Sequence, residues 1–190
     1  MNERLEKLAG AGQSVWIDSL SRDDLEDGSL EALVEEGVTG VTSNPTIFQK
    51  AISESSRYDE QLEELYKEED DPKEVFFELA RADIQEACDL LRPVHDRTGG
   101  KDGYVSLEVS PDLAYDTPKT VEEAKRLHGL VDRPNLLVKI PATAPGLAAI
   151  EEMIATGKSI NVTLIFSLSR YRAVAGAYVR GLQRLVASGG

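Results

Sequence analysis

The sequence predicts an α/β chain of the (β/α)8 TIM-barrel type that stops after its fifth strand–helix unit, and three observations carry that prediction. Five short apolar runs alternate with helical stretches, which is the order a parallel sheet with helical crossovers requires. Side chains two apart share a face of a strand, and sorting the runs this way leaves one face apolar: Val15/Ile17, Val105/Leu107/Val109, Leu136/Val138/Ile140 and Ile160/Val162/Leu164/Phe166. The opposite face carries Trp16/Asp18, Thr42/Asn44, Ser106/Glu108, Lys139 and Asn161/Thr163. An open doubly wound sheet has helices on both faces and reads apolar on both. A closed barrel turns one face inward and collects catalytic side chains at the C-terminal rim of its strands. Polar groups on the same face of all five runs favour the barrel.

The elements follow in order. Residues 1–12 read as a short helix and a Gly-Ala-Gly connector, and Ser14 to Asp18 as the first strand. Ser21 to Asp24 resembles a capping box, with Leu25, Leu30, Leu33 and Val34 marking one helix that ends at Gly37. Val38 to Ser43 is the second strand, closed by Asn44-Pro45; the proline holds Asn44 in extended geometry. Thr46 to about Lys67 reads as a helix through Ile47, Phe48, Ile52, Leu62 and Leu65. After the acidic run Glu68–Asp71, Asp71 caps a helix over 72–95 that begins at Pro72 and buries Val75, Leu79, Ile84, Cys88 and Leu91. Tyr104 to Val109 is the third strand, and Pro118 to Val131 its helix. The strand holding Lys139 ends at Pro141, which cannot donate to a ladder. A helix from about Pro145 to Thr156, a fifth strand over Ser159–Phe166 and a last helix over Ser167–Ala187 complete the chain. The expected organisation is one partial barrel domain over 1–190, with a helical insert at about 46–100.

Composition narrows the function. The 190 residues are 41% hydrophobic, enough for one domain with a sizeable core. No run approaches the ~18 apolar residues of a membrane span. The opening Met-Asn-Glu-Arg-Leu-Glu-Lys lacks the apolar centre of a secretion signal, so a cytoplasmic setting is expected. The net charge of −13 argues against nucleic acid as a partner and leaves a small phosphorylated substrate possible. Cys88 is the sole cysteine, which excludes a disulfide framework and a cysteine metal site. His95 and His128 have no ligand-like neighbours, so no metal site is expected. Nothing in the sequence indicates an oligomeric state.

Lys139 is the residue around which the chemistry turns. A charged ammonium on a buried strand is costly, and burial lowers a lysine pKa by up to about 3–5 units, leaving a free amine able to attack a carbonyl carbon. The plainer alternatives are a strand-end lysine reaching water, or one neutralised by a carboxylate. Asp18 and Glu108 share its face. They either neutralise it or move protons during carbinolamine formation and breakdown. Asn44, Asn161 and Thr163 are placed to hydrogen-bond hydroxyls or an ordered water.

Gly40-Val-Thr-Ser-Asn-Pro-Thr-Ile-Phe48 and Leu137-Val-Lys-Ile-Pro-Ala-Thr143, followed by Pro145-Gly146-Leu147, resemble the two signature motifs of transaldolases. Trp16-Ile-Asp-Ser-Leu-Ser-Arg22 resembles the first strand of the longer bacterial members, and the likeness runs from about Ser14 to Tyr178 as the N-terminal portion of such a protein. The resemblance implies that Lys139 is the Schiff-base lysine and Asp18 the acid/base of carbon–carbon cleavage. Glu108 would shuttle protons through a water held with Thr163. Asn44, Thr42, Asn161 and Ser167 would bind substrate. The implied reaction belongs to the pentose phosphate pathway and uses neither metal nor organic cofactor. It moves a dihydroxyacetone unit from sedoheptulose 7-phosphate or fructose 6-phosphate to glyceraldehyde 3-phosphate. Members of the family take a phosphate-gripping serine and arginine from after the sixth strand, so the 190 residues alone are expected to show no appreciable activity. Two alternatives stand beside this reading. One is a fructose 6-phosphate aldolase-like lyase, which resembles a barrel without the 46–100 insert and with an amide where Glu108 stands. The other is an inactive barrel fragment serving as an assembly partner.

Overall fold

A computed structural model describes residues 2–190. Five parallel strands form one sheet in the order β1-β2-β3-β4-β5, the order of the chain itself. The described residues fall into two compact units: the chain up to Val105 with Arg133–Asn135, and Ser106–Asp132 with Leu136–Gly190. No helix among them is long and apolar enough to cross a membrane.

The first unit opens with α1 (Glu3–Gly10), whose N-terminus is capped by Asn2. Strand β1 (Trp16–Ile17) pairs with β2 (Gly40–Thr42), Trp16 opposite Gly40 and Ile17 opposite Val41. Gly40 is required there, because a Cβ on it would run into the Trp16 indole. The helix expected up to Gly37 is two helices, α2 (Arg22–Glu26) and α3 (Ser29–Glu36). Gly28, at φ +79°, turns the backbone left-handed between them, which apolar spacing alone does not reveal. The helix expected over 46–67 is likewise broken into α4 (Pro45–Glu54), a 3₁₀ turn over Ser56–Tyr58 and α5 (Asp59–Leu65). Ser55 is extended, and its hydroxyl accepts from the Arg57 N–H, so a local side-chain bond displaces the helical ladder. Asp71 does cap α6 (Pro72–Arg97), accepting from the Lys73 N–H at 2.9 Å. Helix α6 buries Val75, Leu79, Ile84, Cys88 and Leu91, as its periodicity predicts. The fully buried Asn135 donates to the carbonyls of Cys88 and Gly103.

Strand β3 (Tyr104–Glu108) begins in the first unit and ends in the second. The second unit continues with α7 (Thr117–Val131), β4 (Leu136–Pro141), α8 (Ala144–Ala155), β5 (Ile160–Thr163) and α9 (Leu168–Ala187). The β4/β5 register sets Lys139 opposite Asn161 and Pro141 opposite Thr163. Leu136, Val138 and Ile140 are almost wholly buried, as their alternation requires. The fifth strand is shorter than expected. Leu164 adopts φ +62°, the chain leaves the ladder, and the two-residue parity stops applying. Leu164 and Phe166, expected on the helix-covered face, are therefore 53% and 87% exposed. Helices α8 and α9 pack closely, because a Cβ on Gly181 would lie 2.7 Å from Ile154 Cβ and 2.8 Å from the Glu151 carbonyl. Arg180–Glu151 and Arg184–Glu152 ion pairs, each 2.7 Å, tie the same two helices.

Candidate active site

Lys139 lies within β4 and is 8% exposed. Its burial follows from the sequence around it: apolar Val138 and Ile140 bring the strand into the core, and the long side chain is left on the other face. Glu108, the last residue of β3, places Oε2 3.4 Å from Lys139 Nζ. That is an ion pair longer than a well-formed charge-assisted hydrogen bond of ~2.7–2.9 Å. Asn161, opposite Lys139 in the register, donates from Nδ2 to Ser106 Oγ at 2.9 Å. Thr163 closes β5. The second unit thus brings together Lys139, Glu108 and Asn161 on three successive strands, with Thr163 two residues beyond Asn161. Ser106, wholly buried, is part of this cluster and was not among the residues singled out as functional. The signal for it was its place on the polar face of the third strand.

Ser167 has a structural task of its own: it caps α9, accepting from the Arg170 N–H at 3.1 Å. Thr143 does the same for α8, accepting from the Gly146 N–H at 2.9 Å and donating to the Ala114 carbonyl. Gly146 lets α8 start so soon after β4, because a Cβ there would meet the Pro141 carbonyl.

In the first unit, Asp18 follows β1 directly and is exposed. Thr42 is the last residue of β2, and its Oγ1 is buried with no hydrogen-bond partner among the described residues. A buried hydroxyl in that state has capacity for a ligand or a water. Asn44 is extended (φ −146°, ψ 165°) and caps α4, its Oδ1 accepting from the Ile47 N–H at 2.9 Å. Its carboxamide oxygen is engaged in holding the turn. Cys88 is no rival nucleophile: burial, reinforced by Asp89, pushes its thiol up to about 12.

The site is a nearly buried amine held beside a carboxylate on neighbouring strands of a parallel α/β sheet. Residues 15–188 match the transaldolase/fructose-6-phosphate aldolase family, and the chain belongs to that family. It is 54% identical over 179 residues to a transaldolase of Thiobacillus denitrificans, covering 94% of this chain and 50% of that protein. It is 52% identical over 190 residues to a transaldolase of Frankia alni, covering 100% and 51%. Transaldolase 1 of Streptomyces avermitilis is 52% identical over 188 residues, covering 98% and 50%. The chain spans about half the length of the curated relatives it matches.

Proposed function

We propose that this chain carries the nucleophilic lysine of a transaldolase, which transfers a dihydroxyacetone unit between sugar phosphates. The observation that carries the reading is Lys139, 8% exposed and 3.4 Å from Glu108 on the neighbouring strand. In the reaction, neutral Lys139 Nζ attacks the ketose C2 carbonyl. Glu108 delivers the proton that turns the departing carbinolamine hydroxyl into water, acting through a water held by Thr163, and an imine remains. Asp18 takes the proton of the C4 hydroxyl as the C3–C4 bond breaks, the bonding electrons passing into the imine as an enamine. The aldose leaves, the enamine adds to the acceptor aldehyde, and water hydrolyses the new imine to free Lys139. Asn44, Thr42, Asn161 and Ser167 supply hydrogen bonds to substrate hydroxyls. No metal or organic cofactor enters this scheme. The same reading takes residues 1–190 as one partial barrel domain with 46–100 as its insert, working in the cytoplasm.

Borohydride reduction in the presence of fructose 6-phosphate tests it. The peptide carrying Lys139 should gain the mass of the reduced dihydroxyacetone or hexose adduct. Adduct on another lysine, or none in an active protein bearing these residues, would overturn the assignment.

A further inference from the structure

Arg22 lies four residues beyond Asp18, and the segment between them is pinned at three points. Ile17 pairs with Val41 in the sheet, Leu20 has no exposed surface, and the Arg22 backbone N–H donates to the Tyr58 hydroxyl at 2.8 Å. The Arg22 guanidinium then completes a buried network. Nε and Nη2 both donate to Asp83 Oδ1 at 2.9 Å, and Nη2 also donates to Gln61 Oε1 at 2.7 Å. The guanidinium carbon stands 4.4 Å from the centre of the Tyr58 ring. The Tyr58 hydroxyl donates to Asp83 Oδ2 at 2.7 Å, so both carboxylate oxygens are engaged. Asp83 is 1% exposed and Tyr58 is fully buried. Tyr58, Gln61 and Asp83 all come from the 46–100 insert, whereas Arg22 belongs to the turn after β1.

A buried ion pair is an indifferent source of stability, since apolar residues of similar volume often hold helices as well. Hydrogen bonds do what apolar contacts cannot: they fix the direction of a particular backbone N–H and the chain leading to it. Among the described residues of its unit Asp18 forms no hydrogen bond or ion pair, so its orientation depends on the backbone of that turn. We propose that Arg22, Tyr58 and Asp83 are positioning residues for Asp18, and that the helical insert serves to set the catalytic acid/base of the first strand. This rests on the role given to Asp18 in the transfer reaction. A displacement of about 1 Å at a reacting group costs on the order of 100-fold in rate.

The test uses Tyr58→Phe in the whole protein bearing these residues. Tyr58→Phe removes one hydroxyl and leaves the ring packing in place. Imine trapped at Lys139 and KM should stay at the unaltered level, kcat should fall about 10- to 100-fold, and amide exchange at Arg22 should accelerate. An imine at Lys139 with kcat within twofold in Tyr58→Phe would refute the positioning role alone. Parallel loss of imine, kcat and cooperative melting would also refute it, in favour of a purely structural network. Absence of a Lys139 imine in the unaltered protein would refute the lysine reading instead.

Discussion

A nearly buried pair of opposite charges stands in each compact unit, Arg22–Asp83 in the first and Lys139–Glu108 in the second, and the two are built differently. In Arg22–Asp83 the cation is a planar guanidinium, permanently charged, with donors to Asp83 and Gln61 at 2.7–2.9 Å. In Lys139–Glu108 the cation is a single ammonium on a flexible stem, 3.4 Å from its carboxylate. A guanidinium cannot shed its proton and suits a place where geometry must persist. An amine can, and suits a place where charge must be lost before a carbonyl is attacked. Burial by itself therefore does not mark a charge that can be shed; the identity of the cation does.

The largest expected effect comes from exchanging the cations. Lys139→Arg keeps a positive charge beside Glu108 but removes the nucleophile, and transfer activity should vanish along with the borohydride-trapped adduct. Residual turnover above background would show that another amine does the chemistry. Next in size is the carboxylate of the same pair. Glu108→Gln should slow imine formation and hydrolysis by about 10²–10⁴-fold. Asp18→Asn should let imine accumulate while cleavage stalls, so trapped-imine yields in the two variants separate their roles, and equal yields would contradict the division.

Breaking the other pair should register as stability. Asp83→Ala leaves the Arg22 guanidinium, whose side chain is only 12% exposed, without a carboxylate to balance its charge, at a cost of about 3–5 kcal/mol in a urea melt. A Tyr58→Phe/Arg22→Met/Asp83→Leu triple variant should recover most of that loss and still turn over slowly. Recovery of both stability and kcat would show the network to be packing alone.

The smallest effect concerns a half-buried histidine. His128 lies within hydrogen-bond distance of the Ser159 carbonyl (2.9 Å), and burial holds its pKa below the ordinary 6.5. Below pH 6.5 the unfolded chain binds the proton first, so stability is full above that value and declines as pH falls toward the lowered folded pKa. His128→Gln should flatten this dependence in melting curves taken between pH 7 and 5. An unchanged slope would place its origin elsewhere.

The order of strands and helices, the caps at Ser21 and Asp71, and the presence of Lys139 on a buried strand were all legible without coordinates, whereas the cap at Asn44 was not. Each legible feature depends on residues within about one turn or one strand of each other, where the periods of 3.6 and 2 and the chemistry of capping operate. Asp83 was not singled out, although a signal for it was there. It stands four residues from both Leu79 and Ala87 on the buried face of α6, an acid where periodicity calls for an apolar side chain. Its partners carried no such signal, because Arg22 lies 61 residues away and Tyr58 25. The breaks at Gly28 and Ser55 escaped because apolar spacing continues across them, and the exposure of Phe166 escaped because one left-handed residue, Leu164, resets the parity. The sequence by itself determined the order of strands and helices and that Lys139 lies on a buried strand. Only the tertiary structure decided that Glu108 meets Lys139 and that Asp83 meets Arg22. A charge is costly in the core until a distant partner satisfies it, and local periodicity carries no information about which partner that is.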